Sequence, residues 1–313
     1  MQVKGGKQKM LKENNTLNNY IELYRKTNTF KTKKGNTQKD YIYQQDHSRK
    51  TVVCGKPLGE HKIHKIGSKQ LNDAYEKWLI TGTRTANSRK NSLNLVFQYC
   101  MQQEVIDSNP MRLVSSKLNT GRDTMWTKEQ CHLFLDTAYS EYKWRSMGVL
   151  AQICSELAQR VGDVRKLRFD QVNFDKCRID IEQSKTGAKV YLHVEDNLLS
   201  VLKQQKDTFG FQPYVCPRPL PIFARGQDYT HYRKGEVSKF ANQIKETAKL
   251  PKHLQIRDFR RTWVTRAIKA GADAVSIMQV TGHKHISSLN AYTVNTPEGA
   301  KTVLDKVNSY DGE

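Results

Sequence analysis

The sequence predicts a mainly α-helical chain of two domains, the second carrying one small antiparallel sheet. Three observations lead there. Apolar residues recur at helical 3,4 spacing along most of the 313 residues. Strict alternation of apolar and polar positions is confined to residues 178–182 and 189–194. A polar stretch at 113–125, LVSSKLNTGRDTM, separates two helical blocks. The length is sufficient for two cores.

In chain order, residues 1–14 (MQVKGGKQKMLKEN) read as a flexible basic tail, too polar to bury a core. Residues 15–112 form the first helical domain. Leu17, Tyr20, Ile21 and Tyr24 make one apolar face, residues 38–53 a second helix and residues 55–67 a loop. Ser68 can cap a helix carrying Leu71, Ala74, Tyr75, Trp78 and Leu79. Another helix runs from Thr85 with Leu93, Val96, Phe97 and Cys100 inward, and EVIDSNP closes it because a residue before proline resists the helical region.

The second domain spans 126–295. Thr127 and Gln130 form a capping box, ahead of a helix with Leu133, Phe134 and Ala138 inward. Residues 147–157 are apolar on most faces and predict a central helix. A short helix follows Arg160, then the two strands with a tight turn, Ser184-Lys185-Thr186-Gly187, between them. A proline-rich loop covers 211–221, and helices are expected at 235–249, 258–270, 273–280 and 287–293. Residues 296–313 begin with proline in the first helical turn and carry the stripe Ala300, Val303, Leu304 and Val307.

Composition speaks about partners. The chain holds 52 Lys/Arg against 31 Asp/Glu, a net charge of +21, and such an excess favours a polyanion, nucleic acid first. Residues 1–70 hold sixteen basic and five acidic side chains. Six cysteines lie scattered without a CxxC pair, which argues against a zinc site and a disulfide scaffold. No long apolar run predicts a membrane span, and the polar, lysine-rich start is not a secretory signal.

Breaking a phosphodiester without a metal requires a nucleophile, cations on the non-bridging oxygens and an acid for the leaving oxygen. The chain offers each. Tyr292, nine positions after His283, supplies a phenol. Arg160 in AQRVGD and Arg260 in RDFR supply guanidiniums, whose planar fork matches two phosphate oxygens. Arg160 ends an apolar helix, where a bare charge is costly without a partner. Lys185 sits in the hairpin turn, where an ammonium can reach outward. Arg165, Arg168, Arg261 and Arg266 read as surface cations.

These segments, with TGHKHISSLNAY around His283 and Tyr292, resemble the tyrosine recombinases of the phage-integrase family over roughly residues 15–308. The resemblance implies a two-domain DNA clamp: a helical core-binding domain at 15–112, the linker 113–125, a catalytic domain at 126–295, and a C-terminal helix at 296–313 exchanged between protomers. It makes Tyr292 the nucleophile of a 3′-phosphotyrosyl intermediate, Arg160 and Arg260 the phosphate clamp, and Lys185 the general acid. His283 becomes a donor to the phosphate or a handler of the tyrosine proton, and Asp163 a residue that orients Arg160. Arg257 stands where the family usually has histidine, and arginine cannot act as a base.

One phosphoester is exchanged for another, so no cofactor and no metal are expected. The implied partners are double-stranded DNA, a homo-tetramer on that DNA, and accessory DNA-bending or directionality factors; the implied location is a bacterial host cytoplasm, at the nucleoid. Integration or excision of a phage or mobile element, chromosome-dimer resolution, type IB-like topoisomerase action and DNA binding with impaired catalysis all remain open on this chemistry.

Overall fold

The computed structural model describes residues 15–119, 121–218, 230–290, 292, 301, 304–305 and 307–309. The basic tail 1–14 and most of the expected C-terminal helix lie outside the described residues. The chain is mainly α-helical, with two small antiparallel sheets. It divides into two compact units at residues 120/121, inside the polar 113–125 stretch.

The first unit contains α1 (Leu17–Lys26), the single turn α2 (Asn28–Lys31), α3 (Gly35–Arg49), α4 (Ser68–Leu79) and α5 (Thr83–Gln102). Its core joins the α1 face Leu17, Tyr20, Ile21 and Tyr24 to Trp78 of α4 and to Leu93, Val96 and Phe97 of α5. Two expectations need correcting. The second helix starts at Gly35 and stops at Arg49, and Val52–Val53 (β1) instead pairs with Lys56–Pro57 (β2) in a short hairpin. Proline does not close α5, which ends eight residues before Pro110. Glu104 adopts φ 54°, and the amides of Glu104 and Val105 donate to Met101 O and Cys100 O at 3.0 Å each. That is a Schellman stop with glutamate in the left-handed position glycine usually takes.

The second unit begins with α6 (Lys128–Tyr139), and its capping box is present: Gln130 N donates to Thr127 Oγ1 at 3.1 Å. Its inward face is Cys131, Phe134 and Ala138; Leu133, expected inside, is 46% exposed. Helix α7 (Arg145–Glu156) is the centre of this unit. Met147, Val149, Leu150, Ala151, Ile153 and Cys154 are all fully buried, and completely burying one such large side chain is worth about 1.5–3 kcal/mol.

After the single turn α8 (Val161–Val164) come β3 (Val172–Asn173), β4 (Arg178–Glu182) and β5 (Lys189–His193) in the order β3-β4-β5. Ile179 pairs with Leu192 and Ile181 with Val190, which puts all four on the buried face. Helices α9 (Asp196–Phe209), α10 (Lys234–Thr247), α11 (Asp258–Lys269) and α12 (Ala274–Thr281) complete the unit. The helix expected at 287–293 is a 3-10 turn, Ile286–Leu289, with Tyr292 in a turn beyond it.

The start of α11 is fixed from the segment before α6. Arg122 Nη2 pairs with Asp258 Oδ2 at 2.8 Å and also donates to His253 O. Trp126 stacks on Phe259 at 4.4 Å and donates through Nε1 to Gln255 O at 3.0 Å. Its amide donates to Thr262 Oγ1 at 2.9 Å. The cysteines are all free thiols. Among the described residues no helix is long and apolar enough to cross a membrane.

Candidate active site

Helix α7 ends at a strained residue. Ala158 is fully buried and adopts φ 53°, a left-handed conformation that costs an L-residue about 1–2 kcal/mol. The turn aims its carbonyl at Arg260, whose Nη1 donates to it at 2.9 Å. Gln159 follows, buried, with Nε2 donating to Leu157 O at 2.7 Å and Val280 O at 2.8 Å. Arg160 then caps α8, and its Nη1 donates to Gln183 Oε1.

Arg260 lies in the first turn of α11 and is 7% exposed. Besides Ala158 O, its Nη2 donates to Thr281 O at 2.7 Å and to His283 Nε2 at 3.0 Å. Burial first, and then the neighbouring guanidinium of Arg160, push its pKa down to about 10, with Tyr292 and Asp163 opposing. It therefore stays charged at neutral pH. Arg257, at the N-cap of α11, is exposed.

The network assigns the tautomer of His283. Thr281 Oγ1 donates to Ile277 O at 2.7 Å, so its lone pair faces His283 Nδ1 at 2.8 Å. Nδ1 then carries the hydrogen, and Nε2 accepts from Arg260. Burial first, then Arg260, Arg160 and Lys185, push the imidazole pKa down to about 4, which leaves it neutral. Gly282 before it caps α12 at φ 65°.

Lys185 is exposed at the tip of the β4–β5 turn, which closes through Gly187 N to Gln183 O at 2.7 Å, with Gly187 at φ 67°. Asp163 was expected to orient Arg160. Its Oδ1 instead accepts from Ser184 N at 3.0 Å and Ser184 Oγ at 2.6 Å. The reason is geometric: Arg160 caps α8 in extended backbone and so does not share a helix face with Asp163. The carboxylate fixes the residue before Lys185 instead.

The phenol ring of Tyr292 is half-buried, 6.3 Å from the His283 ring centre to centre, against Val264, Ile277 and Leu289. The Arg261 guanidinium lies 5.4 Å from the Tyr292 ring centre and pairs with Asp123 at 3.0 Å. Arg261 had read as a surface cation, and nothing in its local sequence signals the contact. Gln159, Gln183 and Thr281 were also missed; the only cue was their position beside Arg160, Lys185 and His283.

Arg160, Lys185, Arg257, Arg260, His283 and Tyr292 line one open cavity of about 810 Å³. Asp163 does not line it and reaches it only through Ser184. These six place one phenol, one neutral imidazole and four cations around a space that suits a phosphodiester, and Lys284 and His285 line it as well. Among the described residues no cluster of His, Cys, Asp or Glu is arranged to hold a metal.

Residues 125–298 match the phage integrase family. In sequence, the chain is 23% identical over 239 residues to tyrosine recombinase XerC of Bacillus subtilis (strain 168), covering 71% of this chain and 73% of that protein. Tyrosine recombinase XerC of Rickettsia bellii (strain OSU 85-389) is 31% identical over 130 residues, 42% of this chain and 40% of that one. In fold, the chain is similar to a Tn1549 transposon integrase in complex with a circular intermediate DNA, with a TM-score of 0.72 at 16% identity, covering 93% of this chain and 99% of the other. It is similar also to a lambda integrase dimer bound to a COC′ core site, with a TM-score of 0.68 at 15% identity, covering 97% and 82%.

Proposed function

The chain belongs to the phage integrase family and is a tyrosine-type site-specific recombinase, and we propose that it integrates and excises a phage or other mobile element through a covalent 3′-phosphotyrosine. The observation that carries this reading is the convergence of Arg160, Lys185, Arg257, Arg260, His283 and Tyr292 on one cavity. Tyr292 Oη attacks the scissile phosphorus and passes its proton to His283 Nε2, which is freed to accept it as Arg260 Nη2 turns from the imidazole to the phosphate. The bond from phosphorus to the 5′-oxygen breaks, and that oxygen takes a proton from Lys185. Rejoining reverses each step, with a 5′-hydroxyl of the partner strand as the nucleophile. Arg160 and Arg260 hold the non-bridging oxygens, whose charge grows in the transition state. Arg257 supplies a further cation in place of a base.

In this reading residues 15–112 and 126–295 clamp duplex DNA across the linker 113–125, and binding falls steeply with salt because most contacts go to phosphates. Four protomers assemble on two sites in the host cytoplasm, with accessory bending or directionality factors. A lambda integrase tetramer bound to a Holliday junction shares the fold, with a TM-score of 0.69. Exposure of Leu304 and Val307, at 60% and 64%, supports docking of the C-terminal helix on a neighbouring protomer. Chromosome-dimer resolution is the second reading, favoured by the XerC relatives.

The test uses a nicked suicide duplex built from inverted repeats flanking the gene. The wild type is expected to form a covalent adduct, and Tyr292→Phe to bind the DNA without forming it. Binding without an adduct from the wild type would mean a DNA-binding protein that has lost catalysis. Supercoil relaxation without recombinants would mean a topoisomerase, and recombination only at a chromosomal site would mean a resolvase.

A further inference from the structure

Gln183 is fully buried at the end of β4, and all four hydrogen-bonding positions of its amide are used. Oε1 accepts from Arg160 Nη1 and from Thr186 Oγ1, the latter at 3.2 Å. Nε2 donates to Gln159 Oε1 and to Thr281 O, each at 2.9 Å. Thr281 O also receives Arg260 Nη2. One side chain thus meets the first arginine directly and the second through a shared carbonyl, and it begins the turn that carries Lys185. A flipped amide would set its N–H groups against those of Arg160, so the four partners fix its orientation.

Gly282 provides a second line of support. A Cβ on this residue would lie 2.5 Å from Gln183 Oε1 and 2.7 Å from Nε2, below any contact a real side chain makes. Beyond its left-handed φ, Gly282 is the opening through which the amide reaches the backbone next to His283. A buried side chain that ties the α7–α8 junction, the hairpin and the α12 terminus together, in contact with Arg160, is placed to set where the guanidiniums point.

We propose that Gln183 is a positioning residue of the phosphate clamp, holding Arg160 in register with Arg260 so that both meet the same phosphate. The proposal rests on the strand-transfer reading above. Its effect runs through the non-bridging oxygens, so it should depend on their charge. A purely structural contribution would not.

The experiment compares single-turnover adduct formation by the full chain on two suicide duplexes, one with a normal scissile phosphodiester and one with a neutral methylphosphonate there. Gln183→Met fills the space without polar atoms. It is expected to slow adduct formation about 10²-fold on the phosphodiester and by less than about threefold on the methylphosphonate, where a misaimed guanidinium has less charge to hold. If this variant does not fold, Gln183→Glu is measured on the same pair. It keeps an acceptor for Arg160 but places a carboxylate against that charge, so the same selective loss is expected. Equal slowing on both duplexes, or none on either, overturns the proposal and leaves the recombinase reading intact, provided the wild-type adduct depends on Tyr292. A wild type that forms no adduct overturns both.

Discussion

The two units bury different kinds of residue. In the first, the buried polar side chains are Gln44, Gln45, Ser48, His61, Ser92 and Asn109, and the described lysines, arginines and acids all stay at least partly exposed. In the second, Asp163, Lys245, Asp258 and Arg260 are buried. Each has partners: Ser184 for Asp163, the carbonyls of Lys252 and Leu254 for Lys245, Arg122 for Asp258, and two carbonyls and an imidazole for Arg260. Taking charge out of water costs several kcal/mol per ion even after relaxation. The first unit is built for cohesion, whereas the second accepts that cost at four positions, and one of them, Arg260, lines the cavity.

The sharpest test of this contrast exchanges one residue from each unit. Phe97→Ala empties a fully buried site in the first unit and is expected to cost about 3–5 kcal/mol of stability, read by denaturant unfolding. At saturating DNA, under conditions where the variant is folded, its cleavage rate should match the wild type. Arg260→Ala is expected to slow cleavage about 10²–10³-fold, roughly 3–4 kcal/mol of barrier. A comparable rate loss from Phe97→Ala would erase the distinction between the units.

A smaller effect concerns acid. His283 titrates near 4 in the folded chain and near 6.5 when unfolded, so the unfolded chain takes up a proton that the folded one refuses. Stability is full above about pH 6.5 and is drained as pH falls toward about 4. Unfolding measured across that window should show a slope that His283→Asn reduces; an unchanged slope would remove the assignment of a neutral imidazole. The smallest effect is expected at the surface, where Thr127→Ala removes the α6 cap and costs about 1 kcal/mol, with cleavage untouched.

Much of the fold was legible because it rests on local periodicity. The α1 face, the central α7, the Thr127 cap and the alternation in β4 and β5 can all be read from neighbouring residues. Helix α9 was not foreseen. Its stripe Leu198, Leu202, Gln205 and Phe209 contains a glutamine, buried because Ser146 Oγ and Val215 O receive its Nε2 at 3.2 and 2.8 Å and Arg145 Nε donates to its Oε1 at 3.3 Å. The same limit applies at the site. Spacing suggested that Asp163 serves Arg160, but its partner lies 21 residues away. The charged groups and the phenol at the cavity were legible by type and order, whereas the buried amides of Gln159 and Gln183 bond across up to 121 residues of chain.

The two arginines differ in what anchors them, and that bears on how the protein can diverge. Arg260 is held by main-chain oxygens of Ala158 and Thr281, atoms that survive any codon change that leaves the backbone path intact. Arg160 depends on an amide that a single nucleotide substitution can replace. Drift among descendants of this gene would therefore retune the first guanidinium far more readily than the second.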